Sequence, residues 1–347
     1  MGQVEHAGEC RSTAAISAPS QARDGVRPGL AIALSVVGGG CVAGQALVNG
    51  RLGREVGTPI TAALVSNGLA TFLLLIAACT VPSVVVGLRR LRDARLPWWQ
   101  YLGGCLAALT VAGTAYAAPI LGVALFSVTQ AAGTSMGGIA SDRVGLGPVG
   151  KMPLAWRRVA GAALGVVAVV LAEVQVPFAR VALLPLGFVL VLGINRSVQV
   201  ALNGRVSRAA INVGSASLVN AVLGTAVLGV GAGLLASLGR LPFNGWHGPW
   251  WTYTGGVLAL VITGANLISV RAIGVLRTGL ASLTGQLSGG LVLDAVVGGT
   301  TAPTVWVAVA SGVTVVAVLL SGPPRRRSGA RRRLFGPPRR GAAQPER

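Results

Sequence analysis

Apolar positions in this chain come in long, nearly unbroken runs, separated by short polar or charged gaps. An α-helix needs about 20 such residues to cross the hydrocarbon core of a bilayer. Ten runs are predicted as spans: residues 29–49, 60–80, 101–119, 122–140, 159–174, 181–201, 213–237, 252–270, 279–297 and 304–321. The fourth and ninth are the most diluted by Gly and Thr. Residues 1–28 mix Gly, Ser, Ala, Pro and both charge signs without periodicity and read as a disordered tail. That tail lacks the basic start and adjoining apolar core of a signal peptide.

The ten runs are not independent. The octet Pro97-Trp98-Trp99-Gln100-Tyr101-Leu102-Gly103-Gly104 returns as Pro249-Trp250-Trp251-Thr252-Tyr253-Thr254-Gly255-Gly256. With only seven Trp and three Tyr in the chain, that agreement is not chance. Upstream, Gln45, Asn49, Gly50, Arg51 and Arg54 match Gln199, Asn203, Gly204, Arg205 and Arg208. Downstream, Gly133, Gly137, Gly138 and Asp142 match Gly285, Gly289, Gly290 and Asp294. The chain is therefore two copies of a unit, residues 29–176 and 177–321, each with five spans. Five is odd, so the second copy enters the membrane from the opposite side. The expected fold is an all-α membrane protein of ten transmembrane helices in two inverted five-helix repeats, a common construction of secondary transporters.

Composition agrees with lipid as the solvent. At 52% hydrophobic and 11% charged residues, with mean hydropathy +0.70, the chain has too little polar surface for a soluble domain. The net charge of +20 is concentrated in part in residues 322–347, which hold nine of the 29 basic residues. This segment reads as a solvated cytoplasmic tail attracted to anionic lipid; nucleic-acid binding lacks the interleaved aromatics that would support it. Arg89, Arg90, Arg92 and Arg95, and then Arg143, Lys151, Arg157 and Arg158, make two further connections basic. The positive-inside rule then places both termini in the cytoplasm.

Polar residues inside spans are costly and face the bundle interior or a cavity. Gln45 and Asn49 lie four apart on one helix face, as do Gln199 and Asn203. They either hold helices together or line a substrate path. Arg196 stands well inside the sixth span, and its repeat partner is Val42. It could bind an anionic substrate group, pair with Glu173 or Asp294, or snorkel to an interface. Asn266 and Gln286 are further candidate lining groups. Asp142 and Asp294 cap a helix or pair with a cation, or else couple transport to protons; Glu173 is the third carboxylate that could do so. The glycines of the fourth and ninth spans permit close helix contact or expose backbone to a pathway. The Trp pairs suit interface anchoring, with stacking on a substrate as the alternative.

Several chemistries are excluded. The only histidines are His6 and His247, no CxxC is present, and no phosphate-binding GxxxxGK[ST] occurs. A His-dependent hydrolase, a zinc site and an intrinsic ATPase are not expected, nor is any cofactor. Cys41, Cys79 and Cys105 fall inside spans and are expected to pack there as small hydrophobes.

The pattern Gln45-x-x-x-Asn49-x-x-Leu52, the two Pro-Trp-Trp-x-Tyr-x-Gly-Gly octets, and Gly285-Gln286 with Asp294 resemble the YdcZ family of the drug/metabolite transporter (DMT) superfamily. The likeness covers residues 30 to 320. It implies a ten-helix inverted-repeat bundle in the bacterial inner membrane that moves small organic molecules without ATP hydrolysis. Thr134 stands where the second half has Gln286, so a symmetric role for that glutamine is not implied. The expected substrate-lining set is Gln45, Asn49, Arg196, Gln199, Asn203, Asn266 and Gln286, in a monomer or homodimer. A membrane scaffold or sensor that recruits a partner through its basic tail is the rival reading.

Overall fold

The structure, a computed structural model, describes residues 26–121, 123–172, 183–246, 248–297 and 305–321. Residues 1–25 of the N-terminal tail, the C-terminal tail and Glu173 lie outside these residues. Among the described residues the chain forms eleven α-helices and no strand: α1 (Pro28–Val56), α2 (Pro59–Thr80), α3 (Pro82–Asp93), α4 (Gly103–Leu121), α5 (Val123–Val144), α6 (Trp156–Ala172), α7 (Leu183–Ala210), α8 (Val213–Ser237), α9 (Gly255–Ile273), α10 (Val275–Val297) and α11 (Val305–Leu320). Each octet folds as a short 3-10 turn, Trp98–Leu102 and Trp250–Thr254, leading into α4 and α9. Five helical stretches, α1, α2, residues 184–210 of α7, α8 and residues 250–273, are long and apolar enough to cross a membrane.

Helix ends follow from local chemistry. Proline opens α1, α2 and α3, where its missing N–H costs nothing. Thr58 and Asn212, at matching places in the repeats, cap α2 and α8 by accepting from Thr61 N (3.2 Å) and Ser215 N (3.0 Å). The corner after α1 is left-handed Gly57 (φ 106°), while its counterpart after α7 is Ile211 (φ 55°).

Two expectations about element length need correcting. α1 continues to Val56 and α7 to Ala210, past the expected ends at Asn49 and Ala201. Helices need not stop at the lipid boundary, and the added turns of α7 are held by Arg205 and Arg208, which donate to the carbonyls of Gly145 and Pro148. The basic connection after α2 is also not loop but the amphipathic helix α3. Its Val84, Gly87 and Leu91 are buried, its arginines are exposed, and Ser215 Oγ holds it by donating to Val84 O at 2.8 Å.

Packing repeats with the halves exchanged. α1 lies against α9 and α10, and α7 against α4 and α5; α2 meets α8, α5 meets α10, and α6 meets α11. Thr71 and its own counterpart Thr225 share a hydrogen bond at 2.8 Å. The closest approaches also come in matched pairs. A Cβ on Gly285 would overlap the carbonyl of Val36, and one on Gly133 the carbonyl of Leu190. Gly39 against Ser282 is matched by Gly193 against Gln130. Gly137 likewise abuts Ile194, and Gly289 abuts Gly40. The close contact expected of these glycines is therefore present, but Gly290 faces open space. Of the cysteines, Cys41 and Cys105 are half-buried, whereas Cys79 is exposed in the last turn of α2. The expectation that all three pack inside fails there.

Candidate functional site

Two cavities lie between the halves. The larger, about 220 Å³, is walled by α1, α2 and α4 from the first repeat and α7, α8 and α9 from the second. The smaller, about 120 Å³, lies among α5, α7, α9 and α10. Arg196, Val200 and Asn266 line both, so they form the shared wall.

The larger cavity is built from repeat-related parts. The i, i+4 spacing puts Gln45 and Asn49 on one face of α1, and Gln199 and Asn203 on the matching face of α7. Asn49 Oδ1 accepts from Ser66 Oγ at 2.5 Å, while Asn203 Nδ2 donates to Asn220 Oδ1 at 2.8 Å. Ser66 and Asn220 are themselves counterparts, so one part-buried polar link ties each repeat's first helix to its second. Gln45 Nε2 donates to Gly255 O at 3.0 Å, tying α1 to the start of α9.

These links explain the glycine pairs of the octets. A Cβ on Gly255 would collide with Asn49 Oδ1 and Ser66 Oγ, and one on Gly103 with the amide of Asn203. Gly104 and Gly256 lie as closely against Asn220 O and Ser66 O. Each octet thus brings a helix start directly onto the cavity's amides. Trp98 and Trp250 point outward, 75% and 79% exposed. Trp251 lies under the guanidinium of Arg51 at 5.1 Å, and no tryptophan lines either cavity.

Six of the seven expected lining residues, Gln45, Asn49, Arg196, Gln199, Asn203 and Asn266, reach the larger cavity. Gln286 lines the smaller one beside Arg196 and Asn266. They differ in what they already bond. Gln45, Asn49 and Asn203 serve interhelical links, whereas Arg196, Gln199, Asn266 and Gln286 make no hydrogen bond to any described residue. Arg196 stands 13 residues into α7, too deep to snorkel from its start at Leu183.

Asp142 borders neither cavity. It is 2% exposed at the base of α10, where its two oxygens accept from Val275 N at 3.0 Å and Leu276 N at 3.1 Å. Arg158 donates to the same carboxylate and also contacts Met152 Sδ. Asp142 therefore caps a helix and pairs with a cation at once, although the helix it caps is α10 rather than one following its own. The side chain of Asp294 and all of Glu173 lie outside the described residues.

Sequence reading missed Ser66, Asn67, Asn220, Thr110 and Thr263 in the larger cavity, and Gln130, Thr278 and Ser282 in the smaller. Asn67, Asn220 and Gln130 carried a usable signal, an amide inside an apolar run; the hydroxyls did not, because Ser and Thr can bond back to a carbonyl of their own helix. Ser282 Oγ is buried with no hydrogen-bond partner.

A family model described as "Putative inner membrane exporter, YdcZ" matches residues 30–171 and 184–320, one match to each repeat. No curated protein matches the chain. A solved crystal structure with 15% identity aligns over 85% of this chain and 96% of its own, with a TM-score of 0.62, a likeness of fold alone.

Proposed function

The chain belongs to the YdcZ family of inner-membrane transporters, and from that premise we propose that it carries small organic solutes across the bacterial inner membrane by alternating access, without ATP hydrolysis. In this reading ten helices span the bilayer, the two five-helix halves are inverted, and they rock about the larger cavity. The observation that carries it is the cavity itself: a chamber lined by amides, hydroxyls and one arginine and bordered by six helices, three from each half. Exchange of the halves in the packing supports inversion. So does the basic rim: the α5–α6 connection is bonded by Arg205 and Arg208 at the end of α7, whereas the segment after α8 bonds the end of α1 through Asn244 N and Val56 O at 3.1 Å. Among the described residues the first rim carries Arg143, Lys151, Arg157, Arg158, Arg205 and Arg208, the second Arg51, Arg54 and Arg240, which favours cytoplasmic termini.

Alternating access is testable without knowing the cargo. Ala107 and Ala259, counterparts that both line the larger cavity, are replaced by cysteine one at a time in a chain lacking Cys10, Cys41, Cys79 and Cys105. Small membrane-impermeant thiol reagents are applied separately to each face of oriented vesicles. Modification of the same cysteine from both faces is expected. Access from one face only, under all conditions, would refute transport and favour the scaffold reading.

A further inference from the structure

The two cavities share one charged side chain, Arg196; every other polar group lining them is an amide or a hydroxyl. Among the described residues no carboxylate lies within ion-pair distance of its guanidinium, and nothing hydrogen-bonds to it. Asp294 stands seven residues beyond Leu287, the last α10 residue at the smaller cavity, a rise of about 10 Å along the helix axis, and its side chain lies outside the described residues. Arg158, the buried arginine among the described residues, shows the contrast, since it is paired with Asp142. Arginine stays charged at any physiological pH. Its planar fork of donors fits a carboxylate through two parallel hydrogen bonds. Inside a helix bundle the effective dielectric is lower than in water, and the attraction for an anion is several times greater.

Resting on the transporter reading above, we propose that the cargo is a small organic carboxylate whose anionic group is held by Arg196. Three amides that bond no described residue supply further donors: Asn266 on the shared wall, Gln199 in the larger cavity and Gln286 in the smaller. The size agrees: about 220 Å³ falls below the roughly 300–1,000 Å³ of sites for drug-sized ligands. The repeat supplies a second argument. The counterpart of Arg196 is Val42, which lines the same cavity. The chamber therefore carries its single charge on the α7 side with no charged counterpart on α1, matching a molecule with one anionic group.

The test uses the full chain with the reporter cysteines at 107 and 259. Modification rates are compared for an anionic sulfonatoethyl and a cationic trimethylammonioethyl methanethiosulfonate. Relative to a free thiol, the anionic reagent is expected to be favoured by about tenfold, a preference worth about 1.4 kcal/mol. Arg196→Gln should remove that preference and Arg196→Lys keep most of it. The exchange Val42→Arg with Arg196→Val should restore it from the opposite wall, which guards against a mere folding defect. Benzoate should protect both cysteines in the parent, benzamide and benzylamine should not, and Arg196→Gln should abolish protection. The proposal falls if the rate ratio is indifferent to Arg196→Gln, if benzoate gives no protection, or if benzamide or benzylamine protects equally. It also falls if Glu173→Gln or Asp294→Asn strengthens the anionic preference, since Arg196 would then have an internal acid. In each of these cases two-sided access to the same cysteines would leave the transporter reading standing.

Discussion

Asp142 and Arg158 allow a stability effect to be worked through from geometry. Asp142 is 2% exposed and Arg158 is 9% exposed, so neither charge can fall back on water. Asp142→Ala removes an acceptor from three donors: Val275 N, Leu276 N and the Arg158 guanidinium. Stranding a buried charge by deleting its partner costs about 3–5 kcal/mol. Losing a cap at the positive end of α10 adds about 1 kcal/mol. The single variant should therefore lose about 4–6 kcal/mol. Arg158→Met leaves the carboxylate its two backbone donors and should cost less. In the double variant no charge is stranded, so its loss should fall short of the sum of the singles by about 2 kcal/mol or more. Equilibrium unfolding of the purified proteins in mixed micelles measures all four corners of the cycle. Losses that add to within about 0.5 kcal/mol would mean the two residues act independently, and the reasoning would be wrong.

Two other substitutions separate rigid from yielding contacts. Gly285→Ala would drive a Cβ into the carbonyl of Val36, and only a shift of α1 against α10 relieves it; a loss of about 3 kcal/mol is expected. Gly103→Ala meets the end of the Asn203 side chain, which can swing away at the cost of its bond to Asn220, so about 1–2 kcal/mol is expected. The same unfolding assay ranks them, and the reverse order would contradict the packing argument. Ile211→Gly should instead stabilise. A branched residue at φ 55° carries about 1–2 kcal/mol of strain, against which glycine's added chain entropy offsets about 0.5–1 kcal/mol. A net gain near 0.5–1 kcal/mol is expected, and a loss would show that Ile211, 65% exposed, makes a contact in lipid or detergent.

What the sequence disclosed, and what it hid, has a physical basis. The repeat was legible because the octet is made of rare residues, and it led directly to the helix pairs that later proved to pack alike. Gln45 with Asn49, and Gln199 with Asn203, stood out because an amide in an apolar run is expensive and so must point inward. That argument does not say whether an amide is spent on a neighbouring helix. Gln45 bonds Gly255 O, yet its twin Gln199 bonds no described residue, a difference set by contacts distant in sequence. The amphipathic α3 was missed because its arginines looked like a charged loop, and its buried Val84, Gly87 and Leu91 reveal a helical period only once the surface that receives them is known. The helix that Asp142 caps was equally out of reach, since Val275 lies in the other half of the chain.

The bond between Thr71 and Thr225 joins a residue to its own copy. A contact of that kind is what a two-fold dimer of a single five-helix protein makes with itself, and in such an ancestor every substitution is felt twice. An arginine at the ancestral position of Val42 and Arg196 would have placed two cations in one small chamber, and their repulsion would have opposed it. Joining the copies into one chain lifted that restriction. A lone charge can then sit on one wall with valine on the other, so the polarity of the chamber is a property that a symmetric dimer of identical copies could not have.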